Sequence, residues 1–338
     1  MIVPAFNSAA TLHDTLASAA AQSYRTLEII VIDDGSVDAT ARIAAEFCAG
    51  HPHARLISQS NQGVAAARNR GIAEAMGEFV APLDADDLWH PDKIARQVAA
   101  AGPGDAFVYC WSRDIDAQGL VWRDGPRRHH EGQVFLRMLA ENFIGNGSVL
   151  LVRRAAAQAV GGYDGTLRAR GRAGCEDILF QLRLAGHGPA ALAAGYLVGY
   201  RKWDGAMSND EGAMVRSWRA ARRKLPLTGR ATRRADRWGT ARRRLHFAEG
   251  LAWRGMWLAA IPPAAAALAS DPQRGLTEIG RLLARRNERS LPQPLPVPFE
   301  TLDPDQCWSA PRASCARLDL LEQGRNDRLA RDEAAISP

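Results

Sequence analysis

Short apolar runs that end in acidic turns, each followed by residues at helical spacing, set the pattern of the amino-terminal part of the chain. Leu27 to Ile32 runs into Asp33-Asp34-Gly35-Ser36 and then Asp38, with a helix expected from about Ala39. Phe79 to Leu83 stops abruptly at Asp84, with Asp86 and Asp87 close behind. Both runs have the character of buried strands that deliver side chains to the carboxyl edge of a sheet. Between them a helix is expected from about Gln62. Further on, Gly145-Asn146-Gly147-Ser148 precedes the apolar Val149 to Val152, and Gly161-Gly162-Tyr163-Asp164-Gly165 follows a helical segment. Ile178, Leu179, Leu182 and Leu184 then mark an amphipathic helix that opens with Glu176 and Asp177. Strands alternating with helices predict an α/β fold built on a doubly wound, mostly parallel sheet, with the two acidic edges lining one cleft.

Clustered carboxylates repel one another, so a cation or a proton belongs among Asp84, Asp86 and Asp87. Hard oxygen donors favour Mg²⁺ or Mn²⁺, and a cation with one or two protein carboxylates keeps positions open for diphosphate oxygens. Simpler roles compete at the other acids. Asp38 reads as a helix cap, and Asp33 and Asp34 either share that role or face the cleft. By position alone, Glu176 and Asp177 are first-turn acids that favour their helix, where the dipole also stabilises an ionised carboxylate.

Five segments in order carry a resemblance. They are Ile2-Val3-Pro4-Ala5-Phe6-Asn7, Val31 to Ser36, Gly63-Val64-Ala65-Ala66-Ala67-Arg68-Asn69-Arg70-Gly71, Leu83 to Asp87, and Glu176-Asp177. Over roughly residues 1 to 205 the chain resembles the inverting glycosyltransferases of family 2, which have the GT-A nucleotide-sugar fold with a Rossmann-like nucleotide-binding half. The resemblance implies a site for the nucleotide sugar made by Pro4, Phe6, Asn7, Asp34, Arg68 and Asp84. Phe6 and Asn7 would line the base pocket, Asp34 would accept a hydrogen bond from the base, and Asp84 would lie near the ribose. Asp86 would bind the Mn²⁺ or Mg²⁺ that bridges the diphosphate, and Asp177, beside Glu176, would take the acceptor proton. For Arg68 two readings stand, contact with phosphate or pairing with Asp33 or Asp84. The implied reaction is transfer of one sugar from a nucleotide diphosphate, UDP before GDP or dTDP, to a hydroxyl of a saccharide or lipid-linked acceptor in cell-surface polysaccharide or glycoconjugate synthesis.

The sequence departs from the family in three places. Tyr200-Arg201-Lys202-Trp203 puts an indole where the family carries a metal-binding His, and an indole cannot ligate a cation. Leu179 stands where an acid is usual, a change of packing more than of chemistry. Only Met1, Ile2 and Val3 precede Pro4, so the first strand reads as clipped and a start upstream is expected. A catalytically inactive relative is therefore the main alternative. A sugar-nucleotide pyrophosphorylase would need a Gly-rich phosphate loop, which Pro4 to Asn7 does not provide.

Charge divides the remainder. The chain of 338 residues has a net charge of +6, yet residues 215 to 289 hold 18 Arg or Lys against 5 Asp or Glu. This basic, Arg- and Trp-rich stretch is expected to be a helical appendage, 211–289, after a catalytic domain, 1–210. Two settings fit it: an anionic membrane surface, with Trp218, Trp238, Trp253 and Trp257 interleaved among arginines, or packing of those tryptophans while the arginines face water. No nucleic-acid-binding pattern accompanies the charge. Arg234-Ala235-Asp236-Arg237-Trp238 echoes the QxxRW signature of processive synthases but lacks its Gln. Pro292, Pro294, Pro296 and Pro298 predict an extended linker, and the tail to 338 reads as polar. Five cysteines without a CxxC pair suggest neither a disulfide framework nor a zinc knuckle, and a cytoplasmic setting, with peripheral contact to the inner membrane, is expected.

Overall fold

The computed structural model describes residues 1–169, 174–202, 211–253, 255–272, 295–308 and 316–336. The chain divides into two units, each discontinuous in sequence. The first comprises Met1–Gly132, Ile144–Lys224 and Leu295–Ser309, and the second Gln133–Phe143, Leu225–Pro294 and Ala310–Pro338.

The first unit opens with three parallel strands, β1 (Ile2–Ala5), β2 (Ile29–Asp33) and β3 (Ala54–Ser58), in the order β1-β2-β3. Every residue of β1 and β2 is buried, as expected of strands covered on both faces. Helices α1 (Leu12–Ala20), α2 (Thr40–Gly50) and α3 (Val64–Glu74) make the crossovers. α3 lies so close to β1 that a Cβ at Gly71 would stand 2.3 Å from the Ile2 side chain. The run after α3 is divided. Phe79–Val80 forms β4, while Ile2 N–H donates to the Ala81 carbonyl at 2.9 Å and Leu83 N–H to the Ile2 carbonyl at 2.8 Å. That parallel bridge continues the three-stranded parallel sheet beyond β1.

The second sheet of this unit is mixed. Its path runs β10-β7-β6-β8-β4, with β6 (Phe107–Ile115), β7 (Leu120–Asp124), β8 (Leu151–Arg153) and β10 (Val297–Pro298). β9 (Ala190–Arg201) pairs parallel with β6 and antiparallel with β5 (Leu88–Trp89). Among the described residues, parallel pairing is thus confined to the first three strands, the bridge at Pro82 and the β6–β9 pair, a narrower extent than the apolar runs suggest. The reason is local: β6 and β7 form a hairpin, and β8 returns antiparallel to both β4 and β6. Helices α4 (Lys93–Ala100), α6 (Arg154–Ala159), α7 (Thr166–Ala169), α8 (Glu176–His187) and α9 (Glu211–Arg222) complete the unit.

The proline-rich segment differs from the expected linker over Leu295–Trp308. Val297 and Pro298 pair with Val121 and Leu120, and Phe299 is buried with Leu88, Ile115 and Val121. Arg113 Nη2 donates to the carbonyls of Asp303 at 3.0 Å and Gln306 at 2.6 Å, and Arg96 pairs with Asp305 at 2.7 Å. Extended backbone with few N–H groups suits an edge strand as well as a linker, and the apolar Val297 and Phe299 decide between them here.

The second unit is helical: α5 (Phe135–Ala140), α10 (Arg230–Trp253), α11 (Trp257–Ser270) and α12 (Ala316–Ile336). Much of its basic character is neutralised internally. Arg137 pairs with Glu333 at 2.7 Å, Arg242 with Glu141 at 2.6 Å, Arg325 with Asp271 at 3.4 Å, and Arg234 with Asp332. In the RADRW segment Arg234 and Arg325 both lie over the Trp238 ring, so this echo of a synthase motif belongs to helix packing. No helix among the described residues is long and apolar enough to cross a membrane.

Replacing Phe299 by Ala is expected to cost about 3–5 kcal/mol in a urea or thermal melt, as for a buried aromatic side chain. A loss below about 1 kcal/mol would show that the segment is the dispensable linker its prolines suggest.

Candidate active site

The carboxyl ends of β1 and β2 supply the first wall. Asp34 is buried, and both its oxygens are engaged: Oδ1 accepts from Gln62 N–H and Gln59 Nε2, each at 2.8 Å, and Oδ2 from Gly63 N–H at 2.7 Å. Gly63 adopts φ +93, which brings this turn around the carboxylate. Asp34 therefore holds the start of α3, a helix other than the one its sequence position suggested. Asp33 accepts Ser36 N–H at 3.2 Å, and Asp38 accepts Thr40 N–H at 2.9 Å and Ala9 N–H at 3.2 Å. Pro4 is buried in β1 opposite Ile32, while Phe6 is 47% exposed just beyond the strand. Asn7, at φ 49, accepts Val37 N–H at 2.9 Å and donates its own N–H to Ser36 Oγ at 3.0 Å. These bonds hold an open aromatic face beside the end of the sheet.

The acidic cluster resolves into two kinds of carboxylate. Asp87 is fully buried, accepts from Ser148 Oγ at 2.5 Å and from Arg201 N–H at 3.0 Å, and points into the protein. Burial, then the charges of Asp86 and Asp84, push its carboxyl well above the ordinary carboxylate range. Of the cation or proton expected among the three acids, the proton suits Asp87, which is buried and bonded inside the protein. Asp84 and Asp86 remain partly exposed. The loop is braced by Arg201, whose guanidinium donates to the carbonyls of Asp86 at 2.7 Å, Asp116 at 2.9 Å and Ala117 at 2.5 Å. α1 adds Thr11 and Thr15, whose hydroxyls donate to the Ala85 carbonyl at 2.8 and 3.0 Å.

Arg68 joins this loop to the start of α8. Its side chain is 5% exposed; Nη2 pairs with Asp84 Oδ1 at 2.5 Å, Nη1 with Glu176 Oε1 at 3.3 Å, and the guanidinium lies 5.0 Å from the Tyr163 ring. Burial opposes its charge, but Asp84, Tyr163 and Glu176 together raise its pKa above the usual arginine value. Of the two readings for Arg68, pairing is the one seen, with Asp84 and not Asp33. The neighbouring Asn69 makes a reciprocal pair of bonds to Tyr163, accepting its N–H at 2.7 Å and donating to its carbonyl at 2.8 Å. A Cβ at Gly162, φ +63, would lie 2.4 Å from Asn69 Oδ1. Arg68 and Asn69 thus lock two distant loops onto one turn of α3.

Glu176 and Asp177 stand on the first turn of α8. Glu176 is buried and accepts Gly174 N–H at 3.1 Å besides its pair with Arg68. Asp177 keeps part of its surface open and accepts Ile178 N–H at 2.7 Å. Burial and the charge of Glu176 push its carboxyl up to about 7, against the opposing pull of Arg68. A carboxyl that exchanges its proton near neutrality is suited to general-base chemistry. Leu179, in place of an acid, is fully buried in the core of α8. Trp203 and Gly171-Arg172-Ala173 lie outside the described residues. The roles of Asn69, Tyr163, Ser148 and Arg201 were not visible in the sequence, since no local pattern shows which distant loop a side chain meets.

No group of three or more His, Cys, Asp or Glu placed to hold a metal is found among the described residues. Asp86, partly exposed in the same loop as Asp84 and Asp87, is a hard oxygen donor of the kind that takes a cation whose other positions come from substrate and water.

Residues 1–161 match the family model described as Glycosyl transferase family 2. The chain is 42% identical over 128 residues to the uncharacterized glycosyltransferase YibD of Escherichia coli, a match covering 37% of each chain. It is 30% identical over 169 residues to the amylovoran biosynthesis glycosyltransferase AmsB of Erwinia amylovora, covering 47% of this chain and 56% of that one. The matches therefore span between about a third and just over half of these curated relatives. Among solved structures, S. aureus TarS 1-349 in complex with UDP-GlcNAc superposes with a TM-score of 0.59 at 18% identity, covering 81% of each chain. The mannosyltransferase PcManGT from Pyrobaculum calidifontis, in complex with GDP-Man and Mn²⁺, gives 0.56 at 22% identity, covering 84% of this chain and 79% of that one. At these identities the likeness is one of fold.

Asp177 gives stability a definite pH dependence. Its carboxyl rises from an ordinary 3.8 to about 7 on folding, so the folded state holds a proton that the unfolded chain releases. This contribution is complete below the unfolded value and is lost as pH rises through about 7. Urea melts of Asp177→Asn are expected to show a shallower decline in stability between about pH 4 and pH 7 than the wild type. Identical slopes would mean that Asp177 titrates as an ordinary surface acid.

Proposed function

We propose, from the match of residues 1–161 to the family 2 glycosyltransferase model, that the protein is an inverting transferase that moves one sugar from a nucleotide diphosphate to an acceptor hydroxyl. The observation that carries the proposal is the pairing of Arg68 with both Asp84 and Glu176, the residue that precedes Asp177 on the first turn of α8. One cation thereby sets the spacing between the donor edge and the base.

Phe6, held open by the Asn7 turn, offers a face for stacking, and Asp34, fixed by three donors, keeps lone-pair capacity for a base N–H. Asp84 lies by the ribose and Arg68 balances its charge. Asp86 would hold Mg²⁺ or Mn²⁺, which would supply charge neutralisation at the leaving diphosphate. Asp177 accepts the acceptor hydroxyl proton as the oxygen bonds to the anomeric carbon and the bond to the diphosphate breaks, inverting that centre. A uridine carrier is favoured, with a saccharide or lipid-linked hydroxyl as acceptor in polysaccharide or glycoconjugate synthesis. Relatives named for succinoglycan and amylovoran biosynthesis and neighbours bound to UDP-GlcNAc or GDP-Man support this reading.

Thermal-shift titration with UDP, GDP and dTDP, each with and without Mn²⁺, tests it. One nucleotide is expected to raise the melting temperature in a Mn²⁺-dependent way, and Asp86→Asn is expected to abolish the metal dependence. Asp177→Asn is expected to retain donor binding and lose transfer by about 10²–10⁴-fold. Absence of any shift would contradict the donor site, and binding without turnover in the wild type would identify an inactive relative.

A further inference from the structure

α11 is unusual for a helix in a water-exposed unit. Its fourteen residues, Trp257–Ser270, include no charged side chain. Ala260 and Ala267 face inward, where Ala267 packs on Ala241 and Leu245 of α10. The opposite face is solvent-exposed and wholly apolar: Trp257 68%, Leu258 84% and Ile261 60%, joined by Pro262, Ala265 and Ala269. At 100° per residue these six positions fall within a single arc of about 140°. Met256, 42% exposed, extends the surface at the amino end. This inverts the ordinary amphipathic arrangement, in which the polar face meets water. A contiguous apolar face of this kind marks an interaction surface.

The charges nearby are of one sign. From Arg230 to Ser270 there are eight Arg against Asp236 and Glu249. Arg234 and Arg242 pair with acids of their own unit, and Arg244 donates to the Ala266 carbonyl and Ser270 Oγ of α11. Arg230, Arg233 and Arg237 are exposed. With Ala241 and Arg244 they follow an i, i+3, i+7, i+11, i+14 series, so they lie on the side of α10 that carries α11 and continue beyond its carboxyl end. The α10–α11 hairpin therefore shows an apolar face followed along its axis by a row of cations.

We propose that this hairpin seats the protein on an anionic lipid bilayer, with Trp257, Leu258 and Ile261 inserted at headgroup depth and Arg230, Arg233 and Arg237 over acidic headgroups. Tryptophan at one end and arginines at the other suit the interfacial zone. The depth is shallow for two reasons. α11 is only about 20 Å long, short of the bilayer core. Pro262 and Pro263 also deprive the Leu258 and Ala259 carbonyls of their helical donors, so these groups need water or headgroups. The seat concerns the second unit alone and does not rest on the transferase reading.

Co-sedimentation of the full chain with phosphatidylcholine vesicles, with and without phosphatidylglycerol, tests the proposal. The wild type is expected to bind the anionic vesicles and to be released by high salt. Leu258→Asp/Ile261→Asp is expected to lower partitioning at least about tenfold, from the apolar area withdrawn. Arg230→Glu/Arg233→Glu/Arg237→Glu is expected to remove the preference for anionic lipid. Unchanged melting temperatures and nucleotide-induced shifts in both variants would show that neither fold nor donor site was damaged. Absence of wild-type binding, or equal binding by Leu258→Asp/Ile261→Asp, would overturn the proposal. So would a wild-type dimer that this variant converts to monomer with vesicle binding unaltered.

Discussion

Arg68 is a buried cation with a carboxylate on each side, and the arrangement of the site follows from its need for both. Removing either Asp84 or Glu176 would leave a charge in a poorly solvated position, which costs far more than an exposed ion pair contributes. The helix that carries Arg68 is itself fixed twice, by Asp34 gripping its first turn and by the close approach of Gly71 to Ile2. Through Asn69 the same helix sets the Tyr163 loop, which leads towards α8. A short stretch of α3 thus transmits the position of the parallel strands to the acids at the far side of the cleft.

Acids that are neighbours in sequence take different roles because their surroundings differ. Asp87 has a hydroxyl and a backbone N–H as partners and no route to solvent, whereas Asp86 keeps an open side and Asp84 is balanced by Arg68. Glu176 is tied to Arg68 and to Gly174 N–H, while Asp177, one residue on, is left to exchange a proton near neutrality. In each pair one residue fixes the architecture and its neighbour keeps part of its surface open. The second unit uses charge differently, pairing Arg234 of α10 and Arg137 of α5 with acids of α12 and leaving Arg230, Arg233 and Arg237 exposed.

The strands that end in acids were legible because an apolar run followed by carboxylates has few other uses. β2 begins two residues later than the pattern suggests and α8 opens at Glu176 as expected. What the pattern could not disclose was contact across long separations. That Asp34 caps α3 and not α2, that Asp87 faces Ser148, and that Arg68 reaches Glu176 all depend on pairings remote in sequence. The Pro-rich segment misled for a related reason: alternating prolines specify extended backbone, but whether it is free or paired depends on an edge strand, β7, far upstream. The basic stretch was legible as charge, while two acids that neutralise part of it, Glu141 and Asp332, lie just after α5 and in α12.

The central claim is that the Arg68 clamp places Asp177 as a base with a carboxyl held near neutrality. The pH dependence of single-turnover sugar transfer with saturating donor tests it most directly. The rate is expected to rise about tenfold for each pH unit well below about 7 and to level off above it, as Asp177 loses its proton. A rate that stays flat across that range, with the enzyme folded throughout, would contradict the claim.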